Sequence, residues 1–126
     1  MKQGDEARSE PGHFHLFVYG TLRAGGPAAA LLEGCECVGH ATVAGTLYSV
    51  DAYPALVLTG TGDVQGEVWR CPATRLADLD RYEGVADGLF RRVGIRAGEW
   101  ACWTYVAGPA LAPRLRPGQR IDSGRW

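Results

Sequence analysis

Three carboxylates crowd one short segment, Thr74-Arg75-Leu76-Ala77-Asp78-Leu79-Asp80-Arg81-Tyr82-Glu83, and Glu83 is the one whose phase points to chemistry. At about 100° per residue, Leu76 and Leu79 define the inward stripe of a helix. Glu83 lies seven residues after Leu76 and four after Leu79, so it projects along the same stripe, whereas Asp78 and Asp80 fall off its centre. A carboxyl at the end of an apolar face loses hydration. Its pKa then rises toward the range of a base that works near neutral pH. The same placement also fits a structural ion pair with an arginine, and periodicity alone leaves both readings open.

The second candidate is a loop. The run His15-Leu16-Phe17-Val18-Tyr19 enters Gly20-Thr21-Leu22-Arg23-Ala24-Gly25-Gly26. Successive backbone N–H groups after a strand can form an anion-binding nest, and an ordinary tight turn is the other reading. The spacing is neither that of a Walker phosphate loop nor that of a dinucleotide fingerprint. Cys35, Cys37, Cys71 and Cys102 do not have zinc spacing, and His13, His15 and His40 are scattered. Free thiols and no metal site are therefore expected.

Composition narrows the partners. Thirteen basic and 14 acidic side chains give a net charge of -1, and Lys2 is the only lysine. No charge asymmetry points to nucleic acid or to an anionic membrane. No apolar run reaches the ~20 residues of a membrane span. The polar N-terminus lacks an apolar signal core, so a cytoplasmic protein is expected.

A chain of 126 residues that is 46% hydrophobic fits one domain with a proper core. Eighteen glycines exceed the usual ~7% and predict short strands and tight turns. Residues 1–13 have no apolar periodicity and read as a flexible tail, leaving 14–126 as the domain. Order is expected to begin at Phe14, with strands at His15–Tyr19, near Glu36–His40, at Thr42–Val50 around Gly45, at Tyr53–Leu58 and at Val64–Trp69. Phe90–Arg96 and Trp100–Val106 flank a turn and read as a hairpin. Short helices are expected at Ala28–Leu32, stopped by Gly34, and at Thr74–Tyr82, ended by Gly84. The result is an α+β domain: a mixed sheet of about five to seven strands that can curl into a small barrel, with two or so short helices.

Several segments resemble, in order, the γ-glutamylcyclotransferase-like family. They are Phe17-Val18-Tyr19-Gly20-Thr21-Leu22-Arg23-Ala24-Gly25, Gly45-Thr46-Leu47-Tyr48, Tyr53-Pro54-Ala55-Leu56, Val64-Gln65-Gly66-Glu67-Val68, Leu79-Asp80-Arg81-Tyr82-Glu83-Gly84, Phe90-Arg91-Arg92-Val93, Trp103-Thr104-Tyr105-Val106 and Ile121-Asp122-Ser123-Gly124-Arg125-Trp126. The resemblance covers the chain from about Phe14 to its end. It implies a mixed fold around a β-barrel with a pocket at one end. It implies that the Tyr19-Gly20-Thr21-Leu22 loop cradles the α-carboxylate of a γ-glutamyl group, and that Glu83 is the catalytic acid–base residue. Phe90 stands where many members carry Tyr, and Arg125 where an acidic residue is common.

The activity so implied converts a γ-glutamyl amide, a small-molecule substrate, to 5-oxoproline and a free amine or amino acid. The α-amine attacks within the same molecule, so no cofactor is required. Tyr53 and Tyr105 join Tyr19, Gly20, Thr21 and Leu22 as substrate-contact candidates, although Tyr19 and Tyr105 fit core packing equally well and Tyr53 fits a turn. Two alternatives keep the fold: removal of a γ-glutamyl protecting group in a biosynthetic pathway, and a non-catalytic module that binds a γ-glutamyl metabolite. None of these motifs specifies the leaving amine or the oligomeric state.

Overall fold

The structure, a computed structural model, describes residues 12–20, 29–51 and 53–126. Aromatic and branched residues alternate with polar ones at the start of the described chain and form β1 (His13–Val18). Phe14, Leu16 and Val18 enter one apolar cluster, while Phe17 and the following Tyr19 enter a second. A strand sealed on both faces accounts for the nearly unbroken apolar run in this segment.

Six further strands assemble around it: β2 (Glu36–Ala44), β3 (Thr46–Val50), β4 (Tyr53–Val57), β5 (Asp63–Pro72), β6 (Phe90–Ala97) and β7 (Trp100–Ala107). Four of them join β1 in one mixed five-stranded sheet in the order β2-β5-β1-β7-β6, and β3 pairs with β4 separately. β1 runs antiparallel to β5 and parallel to β7. β2 carries a register shift between Cys37 and Gly39, which bends it. Its edge then approaches β6 without hydrogen-bonding to it. A Cβ on Gly39 would lie 2.6 Å from the ring of Trp100, the first residue of β7, so glycine is what lets β2 pass against that ring. The sheet curls but does not close, and the barrel is a loose one.

The expected strands are present, with shifted limits. Gly45 does not lie inside a strand but separates β2 from β3. Its N–H donates to the Gly62 carbonyl at 2.8 Å, and a Cβ there would sit 2.8 Å from the Val57 oxygen. Order begins at least one residue before Phe14: β1 starts at His13, and Ala73 N–H donates to the Gly12 carbonyl. The rest of the expected tail, residues 1–11, lies outside the described residues.

One α-helix is described, α1 (Leu76–Tyr82), entered through a 3-10 turn at Ala73–Arg75. Leu79 is fully buried against the sheet. The other expected helix is a 3-10 turn, Ala29–Leu32. Four residues cannot offset the cost of nucleating an α-helix, and Gly34, at φ +83°, ends the turn.

The C-terminal segment is stitched back onto the sheets. Ile121 N–H donates to the Leu47 carbonyl, and Gln65 N–H donates to the Gly124 carbonyl at 2.9 Å. Gly124 has φ +70°, and a Cβ there would run into the Asp63 carbonyl. Gly124→Ala is therefore expected to lose about 1–3 kcal/mol of stability in urea unfolding. Gly118→Ala, with nothing within 4 Å of its Cβ position, should stay close to the parent.

Candidate active site

A cavity of about 240 Å³ opens where β1 ends. Val18, Tyr19 and Gly20 form one wall, Tyr53 and Pro54 a second, and Tyr105 of β7 lies between them. Glu83, Leu89 and Phe90 complete it from the far side of α1. The structure thus brings together Glu83, Tyr19, Gly20, Tyr53 and Tyr105. Thr21 and Leu22 lie outside the described residues.

Glu83 follows the last residue of α1, yet its backbone remains helical, with φ −81° and ψ −2°. Its N–H donates to the Leu79 carbonyl at 3.0 Å. The helical phase of Leu76 and Leu79 therefore extends one residue past the helix and aims the carboxyl at the cavity. Gly84 then turns the chain at φ +67°, and Leu89 packs so closely over it that a Cβ would lie 2.9 Å from Leu89 Cδ1. Burial pushes the Glu83 carboxyl up to about 7. No described residue donates a hydrogen bond to that carboxyl.

Both buried tyrosines beside it are committed elsewhere. The Tyr19 hydroxyl donates to the Tyr105 carbonyl at 2.6 Å and accepts from Leu56 N–H at 3.2 Å. Tyr19 thus presents a ring, with its hydroxyl tied into the wall. Burial, and then the Glu83 charge, raise its pKa. The Tyr105 hydroxyl donates to Asp80 Oδ1 at 2.6 Å. Burial, then the bond to Asp80, raise its pKa as well.

Asp80 is the residue that helix phase left unassigned. It accepts from Arg92 Nε at 2.9 Å and from Arg92 Nη2 at 3.2 Å. The Arg92 guanidinium in turn lies 4.3 Å from the centre of the Trp103 ring. The available signal was strand alternation: Arg92 faces Tyr105 across the β6–β7 pair, on the side covered by α1.

The remaining candidates have steric roles. A Cβ on Gly20 would lie 2.5 Å from Pro54 Cγ, so only glycine lets β1 leave the sheet beneath that ring. Tyr53 and Phe90 meet edge to face, with centroids 5.9 Å apart. Arg125 is remote from Glu83 and donates to Gln65 Oε1 at 2.6 Å. The four cysteines are unpaired, with Cys71 and Cys102 buried. Among the described residues, no group of three His, Cys, Asp or Glu side chains could hold a metal ion. No described helix is long and apolar enough to cross a membrane.

A loose mixed barrel of this topology is the fold of a known class. The chain belongs to the gamma-glutamyl cyclotransferase, AIG2-like family, whose sequence pattern matches residues 16–126. It is 33% identical over 113 residues to the gamma-glutamylcyclotransferase family protein YtfP of Escherichia coli K12, covering 88% of this chain and 94% of that one. The solution structure of E. coli YtfP superposes with a TM-score of 0.68 at 30% identity, over 90% and 96% of the two chains. The crystal structure of PH0828 from Pyrococcus horikoshii, an uncharacterized protein, gives 0.73 at 26% identity over 88% and 87%. An AIG2-like protein of Mus musculus shares the fold, with a TM-score of 0.68 at 23% identity over 86% and 88%. Family membership supports a cyclotransferase-type function.

The Glu83 environment has a thermodynamic signature. Its carboxyl titrates near 7 in the native state against about 4.5 when exposed. Between those values the native state keeps a proton that the unfolded chain has lost, so this group's contribution to stability falls as pH rises through that window. Glu83→Gln is expected to be more stable than the parent at pH 8, by up to about 3 kcal/mol, and equal to it near pH 4.5. Urea unfolding at both pH values checks this.

Proposed function

We propose that this protein is a cyclotransferase that releases 5-oxoproline from γ-glutamyl amides, with Glu83 as its acid–base residue. The observation that carries the reading is a half-buried carboxyl without a described donor, facing a cavity of about 240 Å³ at the end of β1. The substrate supplies both reacting groups. Its α-amine attacks its own γ-carbonyl and closes a five-membered ring, and the amine of the amide leaves. Holding that folded conformation contributes several kcal/mol of the barrier.

Proton transfer then decides the rate. An α-ammonium of pKa about 8 must lose a proton before it can attack. A carboxylate of ordinary pKa near 4.3 would accept that proton at a cost of about 5 kcal/mol. Glu83, at about 7, accepts it for about 1–2 kcal/mol and can return it to the leaving amine. Backbone N–H groups of Gly20, Thr21 and Leu22 are assigned to the substrate α-carboxylate, on the resemblance of this loop to its family and on the anion-binding habit of such turns. The rings of Tyr19, Tyr53 and Tyr105 are assigned to the walls that hold the folded glutamyl chain. The partner is a small molecule, and no step requires a cofactor. The four free cysteines fit a reducing compartment such as the cytoplasm.

Incubation with a panel of γ-glutamyl amino acids and amines, with 5-oxoproline followed by mass spectrometry, tests the reading. Glu83→Gln should lower kcat by about 10²–10⁴. In the parent, kcat/KM should rise with pH through about 7, as the free-enzyme carboxyl ionises. An active Gln variant would remove Glu83 from its role. No product from any donor in the panel would overturn the function itself.

A further inference from the structure

The Asp80 cluster invites a question that packing alone does not answer. A carboxylate, a guanidinium and a phenol are joined at the rear of the cavity. Asp80 keeps about a quarter of its side-chain surface exposed, 27%, and Arg92 keeps 25%. The pair is half-buried and bidentate, a geometry that fixes direction as well as contributing energy. What the cluster does control is the direction of the Tyr105 hydroxyl.

Tyr105 is buried and lines the cavity together with Glu83, and the Glu83 charge acts on it. Of the groups around Glu83, Tyr19 of β1 directs its hydroxyl to the Tyr105 carbonyl. Tyr53 of β4 and Phe90 of β6 meet ring to ring. Arg92 of β6 is bound to Asp80 through two nitrogens. On α1 itself, Arg81 pairs with Asp78, Asp80 holds Tyr105, and Tyr82 is exposed at the cavity rim and has a partner of its own. Tyr105 is therefore the buried donor in the cavity whose direction depends on a single side chain, Asp80.

We propose that Asp80 is a positioning residue: by accepting the Tyr105 hydroxyl proton and anchoring to Arg92, it withholds that donor from Glu83 and leaves the Glu83 carboxylate free for the substrate ammonium. A hydroxyl donated to a carboxylate stabilises its charged form and weakens it as a base. Asp80 prevents this while it pins the last turn of α1 to β6 and β7. The inference rests on Glu83 being the base, but its test does not require the reaction.

The test is the titration of the Glu83 side-chain carboxyl carbon by NMR in glutamate-labelled protein, without substrate. Asp80→Asn removes the charge and keeps an acceptor for Tyr105. Asp80→Ala removes both. The Ala variant is expected to titrate about one pH unit below the Asn variant. Adding Tyr105→Phe to Asp80→Ala should bring the midpoint back to the Asn value, a rescue that a merely structural role for Asp80 would not give. Tyr105→Phe alone should leave the parent midpoint in place, because the hydroxyl is given to Asp80. That variant keeps the proposal testable if Asp80→Ala fails to fold. Equal midpoints for Asn and Ala, no return in the double variant, or a shift in Tyr105→Phe alone would each overturn it. Failure of every γ-glutamyl donor to yield 5-oxoproline would instead overturn the functional reading and leave the titration result standing.

Discussion

The Tyr19 hydroxyl is the joint on which the site depends. It receives Leu56 N–H from the small β3–β4 sheet and gives its own proton to the Tyr105 carbonyl in the large one. Both partners are backbone groups, and all three residues are buried. Each such group left without a partner would cost about 1–3 kcal/mol. One phenol therefore fixes how the two sheets meet at the end of β1. The cavity is the space that this junction leaves open, bounded by the Tyr19 ring on one side and Pro54 on another.

That joint has a chemical consequence. A hydroxyl engaged as both donor and acceptor between backbone groups has no proton left for a neighbour. The Glu83 carboxyl consequently lies among rings and aliphatic groups and is held near neutrality by burial. A fold selected only for stability would place a donor there, because even a half-buried carboxylate without one is costly. Retaining such a group is the kind of local conflict that marks a functional position. The Arg92 guanidinium, brought to α1 from β6, is taken up by Asp80, three residues before Glu83.

How far the sequence revealed this depends on which interactions are local. Leu76, Leu79 and Glu83 share one helical phase, and that phase holds because Glu83 keeps helical dihedrals after α1 formally ends. The short strands were legible from alternation, and β1 from its doubly apolar run. Asp80 was not legible in this way. Its importance comes from Arg92 and Tyr105, which lie 12 and 25 residues away. The register of β6 on β7 sets their meeting, and no periodicity of α1 reports it. The second expected helix, Ala28–Leu32, is among the described residues a 3-10 turn at Ala29–Leu32, ended on its C-terminal side by Gly34.

Gly20 joins the two scales. As sequence, it reads as the residue that frees backbone N–H groups for an anion. In the fold it meets a separate steric demand, because the Pro54 ring occupies the place of its Cβ. The steric demand is independent of the anion-binding reading. The same contact sets Pro54 against the exit of β1, so the floor of the cavity and the start of the loop are fixed by a single packing interaction. Glu83 reaches this floor from the opposite side on a turn held by Gly84 and Leu89. Glu83 and Gly20 therefore approach the cavity from separate elements, and holding a substrate in one folded conformation requires contacts set by separate elements of this kind.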